Sequence, residues 1–325
     1  MKEISLKDVA DGLDEMLDEL MTGQARITAH LIAAAEAGGC SAEEIIAILD
    51  KVVEMTVLDE LWITDEKGFA YLTNVRDEKG VLIPFCFVSD PEAQPQASAF
   101  YPLLSASTDA DEVTTQAAQV REIDWEIYKY VGVSGIDRQR IVQVGNALAF
   151  EEQGLLANSY ASPVMTAVLA AFGENDLLSL RYTSRIAEIR SVFDSIMSKQ
   201  MIVQASLVDA FVTCSKEAGW SPETVNSHLQ RIARSSKIEE IQVATLGGQV
   251  TQSSSMPYLG LRHADTRGPT EVHSKQVIVH PVRVDKAGRP AEKSVTICNP
   301  ESARIVQVTA LLDNNSLVSP HYEIP

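Results

Sequence analysis

Arg140-Ile141-Val142-Gln143-Val144 recurs letter for letter as Arg304-Ile305-Val306-Gln307-Val308 in this chain of 325 residues. A second match accompanies it, because residues 24–74 align with residues 204–254 without a gap, at a constant offset of 180. Two matches in the same order predict two copies of one domain, so the question of function becomes what a tandem of such domains does. Identical pairs within the longer match include Ala25 and Ala205, Gly39 and Gly219, Ser41 and Ser221, Glu43 and Glu223, Leu49 and Leu229, Glu60 and Glu240, and Gly68 and Gly248.

The composition allows two such domains and excludes several classes of partner. With 45% hydrophobic residues, the chain is long enough for two cores of ordinary domain size. A net charge of −18 repels nucleic acid and anionic lipid, so neither is an expected partner. No apolar run reaches the ~20 residues that cross a bilayer, and the first residues lack the apolar core of a signal peptide. We therefore expect a cytoplasmic protein, or the sensory part of a longer receptor, with no membrane contact by this chain.

The spacing of apolar residues predicts an α+β fold for each copy. Residues 4–35 carry apolar side chains at three- and four-residue steps, which predicts a helix. Ser41-Ala42-Glu43-Glu44 has the pattern of a capping box and predicts the start of a second helix. Leu61–Thr64 and Phe69–Thr73 then form a predicted hairpin, so that each module is a five-stranded antiparallel sheet with helices on one side. The closing strands are predicted at 116–122, 126–134 and 140–146 in the first copy, and at 275–285, 292–298 and 304–312 in the second.

The domain organisation follows from the two copies and the segment between them. We predict a first module with its N-terminal helix at 1–150, a helical connector at 151–200, and a second, degenerate module at 201–325. A long helix that enters the second module carries an apolar stripe at near-heptad spacing, and such a stripe needs a partner. The partner is either a second chain, giving a homodimer through helices 4–35 and 177–205, or another part of the same chain. The stripe consists of Ile186, Ile189, Phe193, Ile196, Val203 and Leu207.

Two segments of the first copy resemble a known family. Leu61–Asn74, with the sequence LWITDEKGFAYLTN, resembles the opening hairpin of Cache and PAS-like sensor domains. Tyr128–Asp137 (YKYVGVSGID), with Arg140–Gly145 (RIVQVG), is similar to the closing strands of Cache-like sensing domains in bacterial methyl-accepting chemotaxis receptors and related signal-transduction proteins. The resemblance covers residues 24–147, and the second copy is covered only through the internal repeat. It implies a sensory protein that binds a small molecule on the concave sheet face, under a loop, and passes a shift to a helix.

The first copy also contains the residues of a candidate pocket. Between its hairpin and its closing strands the offset falls from 180 to 164, so this copy holds 16 more residues there. Loops over a rigid sheet carry binding specificity, and small ligands are held by aromatic walls with a few polar groups. Arg121 is a candidate clamp for a ligand carboxylate, with a surface position as the alternative, and the aromatic residues are otherwise ordinary core. The predicted ligand-binding set is Trp62, Tyr71, Phe85, Phe87, Phe100, Tyr101 and Arg121.

Other groups of polar residues favour structural roles. Asp137 is expected to cap a turn and to pair with Arg140. The cysteines lack the spacing of a zinc site, and the histidines are too widely spaced for a metal site, so neither a metal nor a cofactor is expected. The cysteines are instead expected to be reduced and mostly buried. These residues are Cys40, Cys86, Cys214 and Cys298, and His263, His273 and His280.

The sequence thus favours a signal-sensing protein over an enzyme. No nucleophile elbow, phosphate-binding loop, dinucleotide fingerprint or zinc-protease motif is present, so no enzymatic activity is predicted. The main hypothesis is a tandem sensor that binds a small molecule, with a carboxylate as one candidate, in its first module and relays the event through helices. The alternatives are a scaffold for interaction or dimerisation that binds no ligand and, third, an enzyme that uses the first cavity.

Overall fold

The computed structural model has an α+β fold, as the sequence predicts. Its described residues form four α-helices and two antiparallel sheets, and the helices pack against the sheets. Among those residues, no helix has both the length and the apolar character that crossing a bilayer requires. The described residues are 6–120, 127–147, 184–261, 276–283 and 290–312.

The N-terminal half, residues 6–147, contains two helices followed by one sheet. Its elements are α1 (Leu6–Ala37), α2 (Ala42–Glu54), β1 (Glu60–Thr64), β2 (Ala70–Thr73), a 3-10 helix (Ala97–Ser105), β3 (Val113–Thr115), β4 (Gln119–Val120), β5 (Ile127–Ser134) and β6 (Ile141–Ala147). The strand order is β2-β1-β6-β5-β3, and the short strand β4 also pairs with β5.

The C-terminal half, residues 184–312, repeats this arrangement of helices and strands. Its elements are α3 (Ser184–Glu217), α4 (Pro222–Arg234), β7 (Ile238–Thr245), β8 (Val250–Ser253), a short 3-10 helix (Met256–Tyr258), β9 (Gln276–Val279), β10 (Ala291–Asn299) and β11 (Arg304–Leu312). The strand order is β8-β7-β11-β10-β9, so each strand has the same neighbours as its counterpart in the first sheet.

The two sheets also share a local irregularity. The pairing register shifts between Ile63 and Thr64 in β1, and between Val243 and Ala244 in β7, which are positions 180 apart. In both sheets the strand that carries the repeated pentapeptide lies in the centre. The five-stranded antiparallel sheet predicted for each copy is therefore confirmed, with β4 as a short addition to the first sheet.

The helix ends follow from the residues that the sequence places there. Ser41 accepts a hydrogen bond from the main-chain N–H of Glu44 at 3.3 Å, and the Glu44 carboxylate accepts one from the Ser41 N–H at 2.7 Å, which confirms the capping box. Gly39 and Gly219 follow α1 and α3 with φ angles of 79° and 71°. Glycine adopts this left-handed conformation without a steric penalty, so both long helices end at the same place in their repeats.

The two halves share one hydrophobic core, formed where α1 lies alongside α3. Gln24 donates from Nε2 to the main-chain oxygen of Gln200 at 3.2 Å, and Gln204 donates from Nε2 to the main-chain oxygen of Leu20 at 2.9 Å. Gln24 corresponds to Gln204, and Leu20 corresponds to Gln200, under the offset of 180. Such reciprocal contacts are those of a two-fold interface, here formed within a single chain.

The part of the apolar stripe whose side chains the structure describes is packed within the chain. Phe193, Val203 and Leu207 are buried in the shared core, so the packing alternative accounts for these positions without a second chain. A homodimer through these helices stays a prediction. The predicted boundary at residue 200 falls inside α3, and most of the predicted connector, residues 151–183, lies outside the described residues.

Candidate functional site

Five of the seven predicted ligand-binding residues come together on one face of the first sheet. The core shared with α1 lies against the opposite face. The 3-10 helix and the segment 83–87 cover the site from outside. We use the name aromatic cluster for Trp62, Phe85, Phe87, Phe100, Tyr101, Tyr128 and Tyr130.

The aromatic cluster depends on a glycine in the strand beneath it. A Cβ atom at Gly132 would come within 2.5 Å of Cδ1 of Phe100, so only glycine lets the 3-10 helix lie this close to β5. The ring centroids of Trp62 and Phe85 are 5.4 Å apart, and those of Phe85 and Phe87 are 4.9 Å apart with an edge-to-face geometry. These are favourable aromatic contacts, and they hold the covering segment on the sheet.

A buried carboxylate lies within the aromatic cluster. Glu60 is 4% exposed, and its Oε2 accepts hydrogen bonds from Trp62 Nε1 at 3.1 Å and from the Tyr130 hydroxyl at 2.8 Å. Glu60 is not in the predicted ligand-binding set, although its position in the strand carries a signal. Because side chains alternate along a strand, Glu60 shares a face with Trp62 while Leu61 and Ile63 face the helices.

The other two predicted residues are not part of this group. Arg121 lies outside the described residues. Tyr71 packs on the α1 side of the sheet, where its hydroxyl donates to Glu36 and accepts hydrogen bonds from Arg138 at 2.9 Å and Arg140 at 2.8 Å. We use the name Glu36 cluster for Glu36, Tyr71, Arg138 and Arg140.

The Glu36 cluster is an internal ion-pair network. Burial works to raise the pKa of Glu36, but hydrogen bonds from Arg140 and Tyr71 outweigh it, and the pKa is lowered. Burial and the hydrogen bond to Glu36 raise the pKa of Tyr71 to about 12, so this phenol is neutral at physiological pH. Arg140 also contacts Asp137 at 2.6 Å, which confirms the pair predicted from the sequence. The network fills the space between the end of α1 and the sheet.

Two cavities that are lined by described residues lie outside the aromatic cluster. One, of about 320 Å³, is in the C-terminal half between α3, α4 and the ends of β7 and β8. The other, of about 250 Å³, lies between α2 and α3 and therefore between the halves. The sequence predicts a binding pocket in the first copy only, so neither of these cavities was expected.

A pair of histidines joins the two halves. The Nδ1 atoms of His30 on α1 and His228 on α4 are 2.7 Å apart, so one ring donates and the other accepts. Trp220 stacks on His228 with a centroid distance of 4.5 Å and an interplanar angle of 21°. Burial lowers the pKa of both histidines, and for His30 the positive charges of His228, Arg231 and Arg26 lower it further.

The remaining histidines and the cysteines show no metal-binding arrangement in the described part of the chain. His280 contacts the Thr296 hydroxyl at 3.0 Å, while His263 and His273 lie outside the described residues. The four cysteines are free thiols. Cys214 and Cys298 are buried as expected, but Cys86 is exposed, because it lies in the segment that covers the aromatic cluster rather than in a core.

The chain was compared with protein families, curated proteins and solved structures. No family model matches it, and neither does any curated protein. Among solved structures it is similar to an extracellular ligand binding receptor from Desulfohalobium retbaense DSM5692, with 12% identity and a TM-score of 0.25. That match covers 94% of this chain and 39% of the receptor, so the chain spans about two-fifths of the receptor's length.

The chain is also similar to the ligand-binding domain of the Campylobacter jejuni chemoreceptor Tlp3 in complex with L-valine. The identity is 8% and the TM-score 0.24, over 95% of this chain and 93% of that domain. The same receptor's sensory domain with isoleucine bound matches at 9% identity and a TM-score of 0.24, over the same shares. Similarities at this level carry no argument about function. The described helices and strands themselves define the class of this protein, which is an α+β protein with two halves, each built of helices and one sheet.

Proposed function

We propose that the chain is a small-molecule sensor whose ligand site is the aromatic cluster, and that its halves are two copies of one Cache-like module. The buried Glu60 carboxylate carries this proposal. A carboxylate buried among aromatic rings is costly unless it is paired, and here it accepts hydrogen bonds from Trp62 and Tyr130 beneath the inserted segment. We base the site on this charged group among rings, because small ligands are held by apolar walls with a few polar groups.

The chemistry of the site favours a ligand with a cationic amine. Glu60 supplies the negative charge, and the faces of the surrounding rings attract a cation. The sequence-based expectation of a ligand carboxylate rests on Arg121. Because Arg121 lies outside the described residues, the described site argues only for the amine, and small amines, amino acids among them, are the first compounds to test.

The strand β5 gives a direct route from the site to α1. Tyr128 and Tyr130 belong to the aromatic cluster, while Lys129 between them points to the opposite face. There its Nζ binds Asp14 at 2.8 Å and Asp18 at 2.7 Å, both on α1. A ligand that displaces β5 therefore also displaces the fully buried Lys129 from its two partly exposed carboxylates on α1. The ligand shifts the equilibrium between two positions of β5 only if it binds one of them better.

A second route leads from the cover of the site to the other half. The inserted segment of the first copy ends in an acidic loop, where Asp111 contacts Arg231 of α4 at 3.0 Å. The main-chain oxygen of Asp111 also accepts a hydrogen bond from Arg26 of α1. If a ligand orders this segment, the change would reach α1 through Arg26 and α4 through Arg231, and these helices lie in different halves.

A scaffold that binds no ligand is the alternative function. It is favoured by the tight packing of Phe87 and Phe100, which are 2% and 1% exposed, and by the core shared between the halves. Under this alternative, the aromatic cluster is an ordinary hydrophobic core, and Glu60 is a buried polar residue satisfied by its neighbours.

A thermal-shift screen of the full chain separates these functions. The panel contains amino acids, small amines and small carboxylates. A ligand present at about 100 times its Kd stabilises the folded state by about 2.7 kcal/mol, which is readily detected as a rise in Tm. We expect at least one amine-containing compound to give this rise, and we expect Glu60→Gln and Trp62→Ala to abolish it.

Glu240→Gln is the matched control, since Glu240 occupies the corresponding position of the second half. It should leave the ligand-induced rise in Tm unchanged. If no compound stabilises the protein, or if stabilisation survives both Glu60→Gln and Trp62→Ala, the proposed site is wrong and the scaffold function is favoured.

A further inference from the structure

We propose that the 320 Å³ cavity of the C-terminal half is a second ligand site, which takes a small molecule with a carboxylate beside an apolar or aromatic group. The proposal goes beyond the sensor function of the first half and does not depend on it. The volume lies at the lower end of the range found for small-molecule pockets. The cavity is formed by the last turn of α3, the first turn of α4, and the ends of β7, β8 and β11.

The corresponding space in the N-terminal half is filled by the Glu36 cluster. The offsets of the repeat relate Glu36 to Lys216, Tyr71 to Thr251, Arg138 to Ser302 and Arg140 to Arg304. All four of these C-terminal residues line the cavity. One half therefore has an internal carboxylate held by two arginines and a tyrosine, while the other keeps one arginine and has lost both the acid and the large ring.

The exchange reverses the charge at the position of the acid. Lys216 is exposed at the cavity wall and makes no ion pair with any residue that the structure describes. Arg304 uses Nη1 to contact the Asp209 carboxylate at 3.4 Å, the Asp209 main-chain oxygen at 3.0 Å and the Thr213 hydroxyl at 3.0 Å. Of the two cations that line the cavity, Arg304 is thus paired with Asp209, and none of the lining residues is acidic, so the wall matches an anion at the position that Glu36 has in the first half.

The remaining walls select for an apolar group on the ligand. Val212, Val225 and Val243 line the cavity beside Trp220. One face of the Trp220 ring is stacked on His228. A carboxylate at Lys216 and Arg304 therefore places the rest of a small ligand against valine side chains and an indole, which favours an aromatic or branched carboxylate over acetate.

Titration calorimetry of the full chain with benzoate tests this proposal, with benzamide as the neutral compound of the same shape. We expect saturable binding of benzoate, binding of benzamide at least tenfold weaker, and a shift of the Trp220 indole N–H signal in NMR spectra on addition of benzoate. Lys216→Glu should weaken benzoate binding at least tenfold, and Lys216→Arg should preserve it. Lys199→Glu, an exposed change of the same charge elsewhere on α3, is the control and should have no effect.

A second variant reconstructs the first half's arrangement. The double change Lys216→Glu and Thr251→Tyr restores the acid and the ring beside Arg304, so it should fill the cavity and abolish benzoate binding while the protein stays folded. Glu60→Gln and Trp62→Ala should leave benzoate binding unchanged, which separates this site from the aromatic cluster. Absence of saturable benzoate binding, or binding that Lys216→Glu leaves intact, would overturn the proposal.

Discussion

Lys129 and Lys293 are fully buried lysines at corresponding positions of the two halves. Lys129 pairs with Asp14 and Asp18, whereas Lys293 pairs with Asp194 at 2.7 Å, the counterpart of Asp14. Removing one partner of a buried ion pair leaves an uncompensated charge in the interior. These residues therefore fix how each sheet lies against its long helix.

We predict that Lys129→Ala lowers the free energy of unfolding by about 3 kcal/mol, because two carboxylates are left close together without a cation. Urea denaturation measures this loss. The control is Lys51→Ala, which removes an exposed pair with Glu301 and should cost less than about 1 kcal/mol. Equal losses for the two variants would contradict the role given to burial.

The histidine pair predicts acid sensitivity. Burial holds the pKa of His30 and His228 below the ordinary value of 6.5, so the unfolded chain takes up protons at a higher pH than the folded one. The contribution of the two neutral histidines to the free energy of unfolding is complete above pH 6.5, and it is lost as the pH falls below 6.5. Urea denaturation at pH 7.5 and pH ~5.5 should show lower stability at the lower pH. His30→Phe should reduce that difference, and an unchanged difference would assign it to other groups.

At this scale, sequence reasoning finds rings more easily than buried charges. Five of the seven aromatic residues of the cluster were in the predicted set, because large apolar side chains on strands and on the inserted segment are usually buried, whereas Tyr128 and Tyr130 were not in it. Glu60, Lys129 and Lys293 were missed, because a charged residue in a strand is normally exposed and its buried partner comes from a distant part of the chain. Thr251 was missed for a different reason. It stands where the first half has Tyr71, and the space that the smaller side chain leaves is recognised only in the three-dimensional structure.

The contact between β5 and the 3-10 helix predicts the effect of a change at Gly132. A methyl group there meets the Phe100 ring at 2.5 Å, so Gly132→Ala should lower the free energy of unfolding by about 1–3 kcal/mol. It should also loosen residues 97–105, which faster hydrogen exchange of that segment would reveal. Gly247→Ala is the control, because its nearest neighbour would be the Thr245 hydroxyl at 3.6 Å. Similar losses for both variants would mean that the contact is not the cause.

Among the elements, regular helices and hairpins were predictable and the inserted segment was not. The capping box and the change of period place α2, β1 and β2 within a few residues of their observed bounds. The 3-10 helix and the strand at 113–115 were not predicted, and the adjoining strand was placed at 116–122. The short strands β3 and β4 are fixed by pairing with β5 rather than by a pattern of their own.

For the whole molecule, the shared core predicts the behaviour of an isolated half. A fragment of residues 1–150 lacks α3, which leaves the α1 face around Gln24 and Ala25 without its cover. Because the two halves make reciprocal contacts, a second fragment can take the place of the missing half. We expect this fragment to form a homodimer in light scattering. A stable monomer with full secondary structure would show that α1 needs no partner helix.

Gln24 and Gln204 fix the position of α1 along the axis of α3. The contact of Gly38 with Ala218 and the bonds from Gln24 and Gln204 show that α1 and α3 run in the same direction. Each glutamine reaches back about one turn along the partner helix. If α1 slides along α3, one of these two hydrogen bonds therefore becomes longer while the other becomes shorter. The two hydrogen bonds, of 3.2 and 2.9 Å, therefore oppose displacement of α1 along α3 in either direction.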